Sequence, residues 1–249
     1  MRDEAGCAPA RPDDVSHDRR AFLGAAMLGT AAVYGLGGAL LRAQAAPLAP
    51  SPGDAIAVDP ATALRLLREG NERFAAGVPR APHRDLARLR EVAPKQSPFA
   101  AVLGCADSRV PVEITFDVGF GDVFVNRVAG NIVTPELIAS LEFGCQVLGC
   151  SALVVLGHTS CGAVAAAMDG GSVPGMISSL YFHIRPVLTG LQGDLAAAAK
   201  ANVDYQTRLL LAGSTVLADL VRRGKLRIVG ALYDLPTGRV EWLPPPDGG

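Results

Sequence analysis

From residue 99 onwards, short apolar runs alternate with longer stretches in which apolar residues recur at helical spacing. The short runs predict β-strands and the longer stretches predict amphipathic helices. Because parallel strands need crossover connections, this alternation predicts an α/β fold with a mainly parallel sheet flanked by helices. The predicted strands cover residues 99–103, 123–128, 152–156 and 226–232, and the predicted helices cover 134–148, 161–168, 176–191 and 200–223.

Both ends of this pattern are extended by further predicted elements. After the last long strand, a turn leads into a short strand at 239–242, which predicts an antiparallel edge. Before the first strand, Asp59 as an N-cap and Pro60 at the first helical position predict a helix that ends near residue 75. A second, charged helix is predicted at 85–92.

The first 45 residues have the pattern of a targeting segment. Arg19 and Arg20 are followed by Phe22 and an uncharged stretch at 21–41, and a small-residue cleavage candidate follows at 43–45. The arginine pair resembles a twin-arginine export signal, whose cargo crosses the membrane already folded. An uncleaved signal anchor stays open as an alternative, since the uncharged run is long enough to span a bilayer.

We therefore expect three parts along the chain. Residues 1–45 are the export signal or anchor, residues 46–58 are a proline-rich linker, and residues 59–249 are the folded catalytic domain. This organisation implies the twin-arginine export machinery as a partner. It also implies a periplasmic or extracellular location, with membrane attachment if the signal is not cleaved.

Composition narrows the function classes. Lys+Arg number 23 and Asp+Glu number 24, for a net charge of −1, so nothing favours nucleic acid as a partner. Five cysteines form an odd number, and a disulfide framework is not expected. Cys145 and Cys150, near the end of an apolar helix, are expected to be buried core thiols.

Cys7 belongs to the targeting segment, and the other two cysteines follow predicted strands and suggest a metal site. Cys105 comes after the first strand, and His158 and Cys161 follow the third, three residues apart at a strand-to-helix turn. Each alone is typical of a core residue, but the carboxyl ends of parallel strands gather at one sheet edge. Two thiolates and one imidazole suit zinc, and three protein ligands are typical of a catalytic zinc with an exchangeable fourth position.

Asp107 and Arg109 lie within four residues of Cys105. An ordinary surface ion pair is one interpretation. The alternative is functional, because an arginine fork keeps a carboxylate ionised and oriented. Asp107 then has two possible roles: it occupies the fourth metal position, or it turns to Arg109 and accepts a hydrogen bond from zinc-bound hydroxide. Zinc generates this hydroxide by lowering the pKa of its bound water to about 7.

These motifs resemble the β-class carbonic anhydrases over nearly all of residues 59–243. The matching segments are Cys105–Val110, Leu156–Val164, Gln96–Pro98, Gly121–Val125, Arg127–Asn131, Ser140–Phe143 and Ile228–Leu235. The resemblance implies the β-carbonic anhydrase fold and reversible hydration of carbon dioxide to bicarbonate and a proton.

The resemblance also implies the site. One zinc per subunit is held by Cys105, His158 and Cys161, with Asp107 as the exchangeable fourth ligand and with Asp107 and Arg109 as the catalytic pair. It implies a homodimer or higher homo-oligomer with pockets at the subunit interface. The substrate pocket is expected to include Gln96, Phe124, Ala129 and Gly162.

Two alternatives stay open at this point. Relatives with the same fold and zinc hydrolyse carbon disulfide or carbonyl sulfide, and the sequence does not show the width of the access route. The second alternative is a non-catalytic zinc protein that binds bicarbonate and in which Asp107 stays bound to the metal.

Overall fold

A computed structural model describes residues 58–244. The predicted export signal at 1–45 and all but the last residue of the predicted linker at 46–58 lie outside the described residues. Between residues 58 and 244, no helix is long and apolar enough to cross a membrane.

The described residues form one sheet, whose strands are β1 (Ala100–Gly104), β2 (Val123–Arg127), β3 (Ala152–His158), β4 (Arg227–Tyr233) and β5 (Val240–Trp242). The strands lie in the order β2-β1-β3-β4-β5, with β1 to β4 parallel and β5 antiparallel to β4. The predicted mainly parallel sheet with an antiparallel edge strand is confirmed.

Helices cover both faces of the sheet. They are α1 (Pro60–Ala75), α2 (Leu86–Val92), α3 (Val112–Thr115), α4 (Pro135–Glu142), α5 (Gly162–Asp169), α6 (Ile177–Ile184), α7 (Leu195–Gly213) and α8 (Thr215–Arg222). The expected start of α1 is present, because the Asp59 carboxylate accepts hydrogen bonds from the amides of Ala61 and Thr62.

Three of the predicted helices have different bounds in the structure. The helix predicted at 134–148 changes at 143–147 into a turn of π-helix. The helix predicted at 176–191 ends as an α-helix at Ile184, because Pro186 lacks an amide hydrogen for a further helical bond. The helix predicted at 200–223 is two helices, since Ser214 is extended and its hydroxyl caps α8 by accepting from the amide of Leu217.

Two apolar layers bury the sheet. The layer on one face contains Leu153 and Val155 of β3 with Leu210 and Leu217 of α7 and α8. The layer on the other face packs Val102, Val154 and Leu156 against Leu64, Leu67 and Phe116. β1 and β3 are buried along their whole length, as expected for central parallel strands covered on both faces.

A buried carboxylate fastens the loop after α1 to the body of the domain. Asp117 accepts hydrogen bonds from the amides of Arg80 and Ala81 at 2.9 and 2.8 Å and from Arg73 Nε at 2.7 Å. Burial alone would raise the pKa of Asp117, but the Arg80 amide and the Arg73 guanidinium outweigh it and hold the pKa below its usual range.

Candidate metal centre

Two cysteines and one histidine meet at the carboxyl edge of the sheet. Cys105 directly follows β1, His158 is the last residue of β3, and Cys161 is the N-cap residue of α5. β1 and β3 are parallel neighbours with Gly104 opposite Leu156, so the two chains leave the sheet side by side. One ligand atom from each of the three residues lies within 4.8 Å of the others, and all three residues are buried. The fold therefore assembles the predicted ligand set.

His158 presents a buried nitrogen that lacks a partner. Its Nδ1 lies 2.9 Å from the carbonyl oxygen of Thr159, which can only accept, so Nδ1 carries the proton. Its Nε2 is buried and has no hydrogen-bond partner among the described residues. Such an atom is costly to bury, and coordination of a metal by Nε2 removes that cost.

The imidazole is oriented from the neighbouring strand. The Thr159 amide donates to the Tyr233 carbonyl at 2.9 Å, and the Leu235 amide donates to the Thr159 hydroxyl at 3.0 Å. Asp234 accepts a hydrogen bond from the same hydroxyl at 3.3 Å. Thr159, whose carbonyl fixes the proton of His158, is therefore itself held in place by the last residue of β4 and by the residues that follow it.

The two sulfur atoms form a coupled pair. A hydrogen bond from Cys161 lowers the pKa of Cys105 below its usual range, against the effect of burial and with help from His158. The Cys105 thiolate in turn raises the pKa of Cys161, and burial adds to that rise. A divalent cation between the sulfurs favours ionisation of both, and zinc prefers this combination of thiolates and imidazole. The residues present thus fit zinc.

Asp107 lies beside these ligands and forms a hydrogen-bonded ion pair with Arg109. Arg109 Nε and Nη2 donate to Asp107 Oδ1 and Oδ2 at 2.9 and 2.8 Å, and the Arg109 amide donates to Oδ1 at 2.9 Å. This fork holds the pKa of Asp107 well below its usual range, although partial burial opposes it. Oδ2 also lies 3.8 Å from His158 Nε2. An ionised, oriented carboxylate therefore borders the metal centre.

Arg127 is a further residue of the centre that sequence reasoning missed. It ends β2, opposite Gly104 of β1. Its Nε donates to the Cys105 carbonyl at 2.9 Å and its Nη2 to the Asp107 carbonyl at 2.6 Å, which fixes the segment that carries both side chains. The sequence shows a cation at the end of a predicted strand, but it does not show that this strand lies next to β1.

Two of the predicted pocket residues adjoin the metal centre. Gly162 is the first residue of α5, directly after Cys161. Ala129 begins a short 3₁₀ turn at 129–131, and the next amide in that turn, from Gly130, donates to the Cys105 sulfur at 3.3 Å.

The other two predicted pocket residues have no recorded contact with the ligands. Phe124 lies on β2, where its ring packs against Phe143 with the ring centroids 6.3 Å apart. Gln96 is exposed in the loop before β1 and makes no hydrogen bond within residues 58–244. The roles of Phe124 and Gln96 in the substrate pocket stay predictions.

Comparison with known proteins assigns this arrangement to a family. A family model described as carbonic anhydrase matches residues 100–240, more than half of the chain. The chain belongs to the carbonic anhydrase family. Its relatives include carbonic anhydrase 2 of Mycobacterium tuberculosis (strain ATCC 25618 / H37Rv), which is 39% identical over 189 residues, or 73% of this chain and 91% of the relative. The carbonic anhydrase of Mycolicibacterium smegmatis is also 39% identical, covering 74% and 93% of the two chains.

Solved structures agree on the class of carbonic anhydrase. A β-carbonic anhydrase of Coccomyxa in complex with acetazolamide superposes with a TM-score of 0.57 and 27% identity, covering 72% of this chain and 84% of that one. One of two tetrameric β-carbonic anhydrases from Sordaria macrospora gives a TM-score of 0.59 and 25% identity, covering 62% and 85%. The β-class fold, the zinc cofactor and carbonate dehydratase activity that the sequence predicted are confirmed.

Proposed function

We propose that this carbonic anhydrase hydrates carbon dioxide at the Cys105–His158–Cys161 centre, with Asp107 as the catalytic carboxylate and Arg109 as its anchor. The observation that carries the proposal is the joint placement of two groups. The unpartnered His158 Nε2 and the ionised Asp107 Oδ2 lie 3.8 Å apart.

Cys105, His158 and Cys161 would hold the zinc. When bound at such a site, zinc supplies a nucleophile from water near neutral pH. Asp107 contributes an acceptor: its Oδ2 receives a hydrogen bond from the attacking water and directs the oxygen lone pair at the carbon of carbon dioxide. Addition of that oxygen yields bicarbonate, and the water's proton leaves to solvent.

Arg109 decides which of two roles Asp107 adopts. The carboxylate can occupy the fourth metal position or stay turned to the guanidinium. Both carboxylate oxygens accept from the Arg109 side chain, and Arg109 Nη2 also reaches the Ser160 carbonyl at 3.4 Å, on the segment between two metal ligands. This bidentate geometry supports the catalytic role, because it holds the carboxylate toward Arg109 and would leave a bound zinc accessible to water.

The experiment compares Asp107→Asn with the wild-type chain in stopped-flow hydration of carbon dioxide, with zinc measured on the same samples. The amide keeps the shape of the carboxylate and removes its charge, so we expect full zinc content and at least a 100-fold lower kcat/KM, roughly the size of a general acid–base contribution. An equally active Asp107→Asn protein would rule out the catalytic role. The same assay is run on wild-type protein with carbon disulfide and carbonyl sulfide. Release of sulfide without hydration of carbon dioxide would favour these sulfur compounds as the substrates.

We also propose that the substrate pocket is completed between subunits of a homo-oligomer. Support comes from Gln96, which is exposed in one subunit, from the exposed aromatic side chain of Phe143 beside Phe124, and from the tetrameric relatives of Sordaria macrospora. Sedimentation velocity tests this proposal. A monomer that retains full activity would contradict it.

Finally, we propose that residues 1–45 direct export through the twin-arginine pathway. The support is the sequence pattern around Arg19 and Arg20. Replacing both by lysine is expected to retain the protein in the cytoplasm, whereas Arg11→Lys serves as the matched control. N-terminal sequencing of the exported protein distinguishes cleavage near residue 45 from an uncleaved anchor, and unchanged export of the double variant would reject the pathway.

A further inference from the structure

A buried amide network links α7 to the thiolate of Cys105. The Gly130 amide donates to the Cys105 sulfur at 3.3 Å, and the Gly130 carbonyl accepts from Asn202 Nδ2 at 2.9 Å. Asn202 is fully buried on α7 and lies 72 residues further along the chain. The N–H of Gly130 thus donates to a predicted metal ligand, and its carbonyl accepts from a side chain that is distant in the sequence.

Gly130 needs such a restraint. Its φ of 77° lies in the left-handed region, which favours glycine, and a Cβ built on it would meet Ile184 Cδ1 at 2.8 Å. A glycine has no side chain to limit its own backbone rotation. The direction of its N–H toward the sulfur is therefore limited by what holds the next peptide. The Asn202 amide donates to the carbonyl of that peptide, and the Asn131 amide of the same peptide donates to the Val128 carbonyl at 3.0 Å. Of these two contacts, the bond from Asn202 comes from a side chain and can be removed by substitution.

Gln206 locks this amide in one orientation. Its Nε2 donates to Asn202 Oδ1 at 3.0 Å, which leaves Asn202 Nδ2 to face Gly130. The same Nε2 donates to the His183 carbonyl at 3.0 Å, and Gln206 Oε1 accepts from the Val133 amide at 2.8 Å. Each contact is buried or partly buried, so the network is shielded from competing water.

We propose that Asn202 is a positioning residue for the metal centre, because it aims the Gly130 N–H at the Cys105 thiolate. The inference rests on the metal site of the proposed function. A hydrogen bond from a correctly aimed amide withdraws charge from the thiolate and orients its lone pairs, so the network tunes the metal from outside the ligand set.

The test uses the full chain with Co²⁺ as the probe, because thiolate-to-cobalt charge transfer reports directly on the sulfur. For Asn202→Leu we expect the charge-transfer band to move to longer wavelength, since a thiolate without its hydrogen bond donates charge more readily. We also expect about 10- to 100-fold weaker Co²⁺ binding in competition with a chelator, the range typical of lost outer partners of metal ligands.

Thr207→Val is the matched control. Thr207 is equally buried on α7, but its hydroxyl donates only to the Val203 carbonyl in the same helix. A purely structural role for Asn202 predicts that both variants lower the melting temperature and leave the band unchanged, and that result would overturn the proposal. If Asn202→Leu does not fold, Asn202→Ser tests the same shift with a smaller change. Wild-type protein without a charge-transfer band would instead reject the metal site itself.

Discussion

Removing the Arg109 side chain tests how Asp107 is held. Arg109 makes three hydrogen bonds to the carboxylate, and its side chain supplies two of them, while the third comes from its own backbone amide and survives any substitution. Arg109→Ala therefore leaves the carboxylate with one anchor. We expect kcat/KM to fall by about 100-fold, as when a reacting group is displaced by roughly one ångström.

Arg109→Lys separates charge from geometry. An ammonium restores the positive charge but not the fork, so it replaces one of the two lost bonds. We expect about a 10-fold loss for this variant, between wild type and alanine. Zinc content is expected to stay at one per subunit in both variants, because Arg109 supplies none of the ligand atoms. Stopped-flow hydration of carbon dioxide, paired with metal analysis, measures both quantities.

The pH dependence of the loss shows what the released carboxylate does. Without Arg109 the pKa of Asp107 rises toward its ordinary value of about 3.9, so the group stays ionised between pH 7 and 9 and protonation does not explain a loss there. A carboxylate that moves onto the metal competes with hydroxide, so the deficit shrinks as pH rises. A carboxylate that is only misaimed gives a constant deficit.

Arg222→Ala is the matched control, since Arg222 makes a similar 2.8 Å bond to Asp219 on α8, outside the metal centre. We expect wild-type activity from it. The reasoning is refuted if Arg109→Ala retains full kcat/KM, or if its loss of activity follows a loss of zinc.

The remaining predictions concern the ligands, their backbone and the stability of the domain. Cys105→Ser is expected to lose zinc by metal analysis, while Cys145→Ser, which replaces a buried thiol outside the site, keeps it; zinc retained in both would contradict the ligand set. Arg127→Met is expected to lower kcat about 10- to 100-fold, because the segment carrying Cys105 and Asp107 loses two of its hydrogen bonds. Unchanged kinetics would contradict this role for Arg127. Asp117→Asn is expected to lower the free energy of unfolding by about 2 kcal/mol at pH 7. Because the native pKa of Asp117 is depressed, its stabilisation is present above the unfolded pKa and is lost as pH falls through the native one. Urea titrations of both proteins should therefore converge in acid, and a constant difference would contradict the assignment.

Much of the metal centre was predictable because its ligands follow strands. Cys105 and His158 lie at the ends of apolar runs, and in a parallel sheet such ends share one edge. The three-residue spacing of His158 and Cys161, between the end of β3 and the start of α5, is a local pattern as well. Helix bounds were less predictable, since Ser214 and Pro186 interrupt stretches whose apolar spacing is otherwise continuous.

The sequence by itself determined which residues carry the thiolates, the imidazole and the carboxylate of the site. It also determined that these residues follow parallel strands. The tertiary structure decided how these groups are held. Arg127, on a neighbouring strand, donates a hydrogen bond to the Cys105 carbonyl. Asn202 donates to the Gly130 carbonyl, in the turn beside the thiolate, although it lies 72 residues further along the chain. The physical reason is that both are hydrogen bonds to backbone atoms, which every residue offers alike, so no pattern of side chains along the chain marks the partner that packing selects.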